Sequence, residues 1–324
     1  MDEIEEIDAI ILKELLKDGR KSFTTIAQEC HTSKDIIMKH YSKMKKDNII
    51  VGATIQYNYP KFGYQALTSI QLNVESQHLD DVFERLTKIS NIHPYRLYNS
   101  IYNIGLITTI RELKDLDKLK EMLKSNHQII SVRSYLWTNV RNTPENLTIG
   151  FTQNKEKNDE KKFPKKGDEK ALGKLDEMDL QIVEALNNNG RAPFSRIAKT
   201  IGTSTKTVSR RYSKLVQCDL IKVSIQINPA LLGFKAILNF FVSFVSKYNM
   251  EIIVESLSKI PNVTYILKIS GDYDLQLAAI VKDIEEMYVI NEEIMKIPNI
   301  GKIEADIRKI PRKWPGPKQY ISTF

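Results

Sequence analysis

The strongest constraint on how this chain folds is that it carries the same stretch of sequence twice. Residues 8–50 align without a gap on residues 179–221, an offset of 171, and 14 of the 43 positions are identical. The identities include Asp8/Asp179, Gly19-Arg20/Gly190-Arg191, Phe23/Phe194, Ile26-Ala27/Ile197-Ala198, Thr32-Ser33/Thr203-Ser204 and Tyr41-Ser42-Lys43/Tyr212-Ser213-Lys214. After a one-residue slip, Ile55-Gln56 meets Ile225-Gln226, Asn58 meets Asn228 and Gly63 meets Gly233. Leu86, Lys88, Ile89 and Asn91 then meet Leu257, Lys259, Ile260 and Asn262, and Tyr102 meets Tyr273. Such a match describes one module of about 150 residues used twice.

Between the copies, residues 152–174 hold eight Lys and five acids and almost nothing apolar, the composition of a solvated linker. As a coil it would span roughly 25 Å on average and up to ~75 Å when stretched. The repeat and the linker divide the chain into five expected segments. A first helix-turn-helix covers 1–52 and a first effector domain 53–151. The linker at 152–174 follows, then a second helix-turn-helix at 175–223 and a second effector domain with a basic tail at 224–324. The most apolar run, Ala236 to Val245, is broken by Asn239 and Ser243 and is too short to span a bilayer. The acidic opening does not suit a secretory signal. Cys30 and Cys218 are the only cysteines, so no disulfide framework is expected. These features predict a cytoplasmic protein with no membrane partner.

In the first part of each module, Ile4, Ile7, Ile11 and Leu15 recur at helical spacing and end at Asp18-Gly19. Leu175, Met178, Ile182 and Leu186 repeat the pattern and end at Asn189-Gly190. A short helix follows, then a turn, then a third helix for which Ser33 or Ser204 is a suitable N-cap. Ile37, Tyr41 and Met44, with Val208, Tyr212 and Leu215, should face the core. This order is the helix-turn-helix pattern. The exposed face of the third helix carries Lys206, Thr207, Ser209, Arg210, Arg211 and Lys214 after Ser204 in copy two. Copy one offers Lys34, Lys39, His40 and Lys43 after Ser33, with Asp35 among them. Short hydroxyls and cations near a recognition-helix N-terminus suit base edges, and lysines further on suit phosphates. A solvated basic face is the competing reading. Residues 1–52 carry 9 basic and 10 acidic side chains and residues 175–223 carry 8 and 5, so copy two should attract phosphate more strongly.

The second part reads β-α-β-β-α-β. In copy one the elements fall at 65–75, 79–90, 92–99, 103–110, 115–125 and 130–140. In copy two they run from Ala236, with Gly271-Asp272 as a hairpin signal between two strands. The expected fold class is α+β, with two copies of a winged-type helix-turn-helix followed by a ferredoxin-like domain. A sheet of that size leaves one face bare of helices, and that face usually finds a partner sheet.

Taken together, Met178-Asp179, Asn189-Gly190-Arg191, the Ser204-led helix, Asn228-Pro229 with Gly233, and Gly271-Asp272-Tyr273-Asp274 resemble the Lrp/AsnC family of transcription regulators. The resemblance implies double-stranded DNA as partner and effector domains that self-associate through their sheets. It also implies a small ligand, such as an amino acid, near the hairpin matching Gly271, Asp272, Tyr273 and Asp274. Ordinary members have one module, so two fused modules imply a pseudo-dimer with unlike readers and an asymmetric operator. At the equivalent hairpin copy one has Asn99-Ser100-Ile101-Tyr102-Asn103, without the acids.

Two other functions stand beside this one. Fused two-module proteins of this build include sirohaem decarboxylases, and His93-Pro94-Tyr95-Arg96 lies at a suggestive place for tetrapyrrole contact. All five histidines, however, fall in copy one. A ligand-sensing protein with weakened DNA binding is the third reading. No phosphate-cradling glycine loop, no recognisable nucleophilic triad and no metal-spaced His or Cys cluster is present. The expectation is therefore a non-enzyme without cofactor or metal.

Overall fold

A computed structural model describes residues 4–98, 101–150, 175–245, 249–316 and the backbone of 319–320. The linker expected at 152–174 and the pair Asn99-Ser100 lie outside the described residues. The chain forms two compact units, and each gathers equivalent parts of both copies. Among the described residues, unit one comprises 4–58, 148–150, 175–232, 312–316 and 319–320, and unit two comprises the remainder.

In unit one, α1 (Glu6–Lys17), α2 (Phe23–Glu29) and α3 (Lys34–Lys46) lead into β1 (Ile50–Tyr57). The second copy repeats this with α6 (Glu177–Asn188), α7 (Phe194–Ile201), α8 (Thr205–Gln217) and β6 (Ile221–Ile227). Ile11, Leu12, Leu15, Ile26 and Ile37 of the first copy are fully buried, as are Ile182, Leu186 and Val208 of the second. Strands β1 and β6 pair antiparallel with Thr54 opposite Ser224, so the strand after each helical trio finds its partner in the other copy. The tail of copy two returns to this sheet. Trp314 is buried and exchanges backbone hydrogen bonds with Ile227, while β11 (Gln319–Tyr320) runs parallel to β1.

The residues that close the first helix of each copy make a reciprocal contact. Gly19 N–H donates to Val223 O at 2.8 Å, and Gly190 N–H donates to Ala53 O at 2.9 Å. A Cβ on Gly19 would come within 2.8 Å of Ser224 backbone, and one on Gly190 within 2.9 Å of Thr54 O, so the approach itself requires glycine. Arg20 Nε–H donates to Gly190 O at 2.8 Å and Nη2–H to Ala192 O at 2.6 Å, with its guanidinium 4.2 Å from the Phe194 ring centre. Arg191 mirrors it, donating from Nη1 to Gly19 O at 2.5 Å and lying over Phe23 and Tyr41.

Unit two contains β2 (Ala66–Val74), α4 (Leu79–Thr87), β3 (Ile92–Arg96), β4 (Ile104–Ile110), α5 (Leu113–Lys124) and β5 (Ile129–Asn142) from copy one. Copy two supplies β7 (Ala236–Phe244), α9 (Met250–Leu257), β8 (Val263–Ser270), β9 (Leu275–Val281), α10 (Ile284–Met295) and β10 (Ile300–Lys309). Both copies thus have the β-α-β-β-α-β order. The strands form one eight-stranded sheet in the order β10-β7-β9-β8-β5-β2-β4-β3, joined in the middle by antiparallel pairing of β5 with β8. Its two ends also meet, since Tyr98, just beyond β3, exchanges backbone hydrogen bonds with Ile307 of β10.

Alternation along the strands sends two sets of side chains in opposite directions. Ile70, Leu72, Ile104 and Leu106 pack beneath Val82, Leu86, Leu116 and Leu123 of α4 and α5. Leu238, Phe240, Val242 and Leu277 do the same beneath Ile253, Leu257, Ile290 and Ile294 of α9 and α10. The other set, including Ser69, Gln71, Tyr135, Asn239, Phe241 and Asp306, is also buried and carries most of the polar groups. These residues fill the seam between the bare sheet faces of the two copies. The partner surface expected for each small sheet is therefore present within the chain.

Asp306, 1% exposed, accepts from Asn239 Nδ2 at 2.6 Å and from Gln71 Nε2 at 2.8 Å. Burial pushes its carboxyl up to about 6, opposed by those two amides and Arg308 and reinforced by Glu304. Because the folded state holds this proton more tightly than the unfolded chain, the associated stability is full below pH ~4 and is lost as pH rises through 6. Asp306→Asn should remove that slope, worth about 2–3 kcal/mol between pH 4 and 7. Urea melts of both proteins across this range check it, and parallel curves would refute the assignment.

Candidate nucleic-acid interface

Each recognition helix begins on a serine whose hydroxyl caps it. Ser204 Oγ accepts from Thr207 N–H at 3.0 Å and lies 2.8 Å from Thr207 Oγ1; Ser33 Oγ accepts from Ile36 N–H at 3.3 Å. Ser204 and Thr207 are thus already engaged with each other at the start of α8. Val208 and Leu215, like Ile37 and Met44, anchor the inner face. That anchoring leaves Lys206, Arg210 and Lys214 exposed on α8, with Ser209 half-buried. On α3 the same anchoring leaves Lys34, Asp35, Met38 and Lys39 exposed, and Lys43 exposed with Nζ 3.8 Å from Glu5 Oε1. The turn before α8 passes through Gly202 at φ +71°, whereas the equivalent residue of copy one is His31 at φ +49°. A residue with a Cβ is strained there. His31→Gly should therefore raise the stability of unit one by about 0.5–1 kcal/mol, read as a higher melting temperature; a drop would mean that the imidazole has a packing role.

Two of the residues expected to read bases make ion pairs within the domain. Arg211 is held by Asp176 Oδ2 at 2.7 Å and Asp179 Oδ1 at 2.8 Å, at the start of α6. These two carboxylates hold its proton above the ordinary arginine range. His40, at the equivalent position of copy one, donates from Nδ1 to Asp8 Oδ1 at 2.9 Å. Both side chains tie the recognition helix back to the first helix. Their sequence signal was the repeated Asp8/Asp179 pair, buried in both copies. Glu5 joins Asp8 and His40 with ligand atoms within 4.8 Å of one another, a juxtaposition invisible to a search for local metal spacing. Glu5 and Asp8 already cap α1 reciprocally.

The hairpin Gly271–Asp274 is built largely from structural contacts. A Cβ on Gly271 would come 2.7 Å from the Tyr135 ring. Asp274 Oδ2 accepts from Phe244 N–H at 2.9 Å, and Tyr273, buried, donates from its hydroxyl to Glu304 Oε2 at 2.6 Å. Asp272 is exposed, 3.5 Å from Arg133 Nε. His93 is exposed on β3. No helix among the described residues is long and apolar enough to cross a membrane.

Known proteins agree with this arrangement. The AsnC-type helix-turn-helix domain matches residues 175–216, and the Lrp/AsnC ligand binding domain matches residues 235–308. An uncharacterized HTH-type transcriptional regulator of Pyrococcus horikoshii is 32% identical over 142 residues, covering 43% of this chain and 89% of that protein. The HTH-type transcriptional regulator Ptr1 of Methanocaldococcus jannaschii is 32% identical over 131 residues, 39% of this chain and 86% of that one. The crystal structure of the siroheme decarboxylase NirDL superimposes with a TM-score of 0.61 over 98% of this chain and 94% of that chain. At 17% identity that likeness concerns the fold. The relatives each match about one module's length, and both domain matches fall in the second copy. The chain belongs to the Lrp/AsnC family of DNA-binding transcription regulators, with two of the family's modules in one polypeptide.

Proposed function

We propose that this regulator reads an asymmetric operator with a single chain, α8 contacting one half-site and α3 the other. The observation that supports this reading is the pairing of β1 with β6, which gathers two unlike recognition helices into one compact unit. Lys206, Ser209 and Arg210 are the base-reading candidates of α8, with Arg210 suited to guanine, and Lys214 the phosphate contact. On α3 the corresponding candidates are Lys34 and Lys39, with Lys43 toward phosphate. Ser204, Ser33 and Thr207 set the helix starts. Residues 175–223 have the more positive net charge, 8 basic and 5 acidic side chains against 9 and 10 in 1–52, so the half-site under α8 contributes more of the salt-dependent affinity.

A small effector such as an amino acid acts on unit two in this reading. Its candidate place is the hairpin Gly271–Asp274, where exposed Asp272 beside Arg133 offers a carboxylate and a guanidinium to a zwitterion. The protein acts by binding, without catalysis, in the cytoplasm. Selection of bound duplexes from a random pool, followed by affinity against salt, tests the proposal. Two unlike half-sites about one helical turn apart, ~34 Å, with a steep salt slope, are expected. A palindromic winner would overturn the asymmetric reading, and no enrichment at low salt would overturn DNA recognition by this unit.

A further inference from the structure

The two copies meet in unit two through residues that are equivalent in the repeat yet chemically opposite. Strand register establishes the equivalence. Ser69 pairs with Tyr135 in copy one as Asn239 pairs with Asp306 in copy two, and both strand pairs carry their register shift at the same place. By the same offsets Gln71 corresponds to Phe241 and Arg133 to Glu304.

Arg133 Nη1 lies 2.9 Å from Glu304 Oε1. Two equivalent residues that touch each other sit on the local two-fold axis of the pair, where a symmetric dimer places a residue against its own copy. The next contact out from the axis occurs twice, once in each sense, and the two versions differ. On one side Gln71 Nε2–H donates to the buried carboxylate of Asp306. On the other, Tyr135 stacks on Phe241 with ring centres 5.1 Å apart.

The consequence for alternative pairings follows residue by residue. Two first copies facing each other would set Arg133 against Arg133. Two second copies would set Glu304 against Glu304, and would also place each buried Asp306 against the face of Phe241, where no amide donor replaces Gln71. A ring face is electron-rich, and each Asp306 would keep Asn239 as donor but lose Gln71, so that arrangement is penalised twice. Only the unlike pair satisfies the charges and the carboxylate together.

We infer that the seam of unit two is a selective interface that accepts a first-copy domain against a second-copy domain and rejects both like pairings. This rests on the proposed reading in which α3 and α8 serve as the two half-site readers. Its effect is that a first-copy effector domain takes a second-copy effector domain as its partner, whether that domain comes from the same chain or from another.

The test keeps the whole chain. A specific protease site is placed within 152–174, the folded protein is cut, and the nicked complex is dissociated in denaturant, refolded and weighed by native mass spectrometry. One-to-one complexes of unlike halves are expected almost alone. Like-with-like dimers formed as often as unlike ones would overturn the inference. If the halves do not refold, the intact chain answers through Arg133→Glu, Glu304→Arg and the double exchange. Each single reversal should lower the melting temperature, and the double exchange should regain more than half of the summed loss. Simple addition of the two losses would overturn it. Duplex selection separates this failure from that of DNA reading, because a seam without selectivity leaves sequence-specific binding intact.

Discussion

Arg210→Ala is expected to weaken binding to the selected operator about tenfold to a hundredfold, ~1–3 kcal/mol, with the largest loss at one position of the half-site under α8. Its neighbour behaves oppositely. Arg211→Ala should leave the base preference unchanged and lower the melting temperature, because it releases Asp176 and Asp179 from the tie between α8 and α6. The contrast comes from one step of 100° around a helix, which carries Arg210 into solvent and Arg211 against α6. Lys214→Ala should instead weaken all sequences alike and reduce the salt slope by about one. Titrations at several salt concentrations, with thermal melts of the same preparations, separate the three behaviours. Equal effects of Arg210 and Arg211 on sequence preference would refute the division of roles.

The second large effect is expected at the reciprocal arginines. Arg20→Ala or Arg191→Ala removes charged hydrogen bonds to carbonyls of the other copy, each worth about 1.5–3 kcal/mol, together with cation–π stacking. A loss of ~3 kcal/mol would lower the melting temperature of a unit of this size by roughly 6–12 °C. Lysine should rescue little, since a point charge cannot span Gly190 O and Ala192 O while lying over Phe194. DNA affinity should fall as well, because Tyr41 and Tyr212 of the recognition helices form part of the same stacks. Full rescue by lysine would mean that charge alone holds the contact.

The helices and strands were legible in the residues because their signals are local. The Ser33 and Ser204 caps, the apolar spacing of Ile37 and Met44, and the Gly271-Asp272 turn each act within a few positions. The roles of Gly19-Arg20 and Gly190-Arg191 were not. As sequence they read as helix ends and as proof of duplication, and only pairing across about 170 residues gives them partners. The repeat did hold a clue: Gly, Arg, Phe and Tyr stayed identical at these sites while the exposed faces of α3 and α8 diverged. The carboxylate partners of His40 and Arg211 were not legible for the same reason. A cation on a helix looks available until the carboxylate of another helix is known to lie beside it.

The pairing of β1 with β6 inside one polypeptide also changes how the protein responds to its own abundance. A regulator that must dimerise before binding fills its operator, at low concentration, in proportion to the square of its concentration. On the proposed single-chain reading both readers arrive already joined, so filling would rise in simple proportion and half-occupancy would reflect the affinity for DNA alone. A modest change in synthesis would then pass to the promoter as an equally modest change in occupancy, with no threshold for the cell to cross.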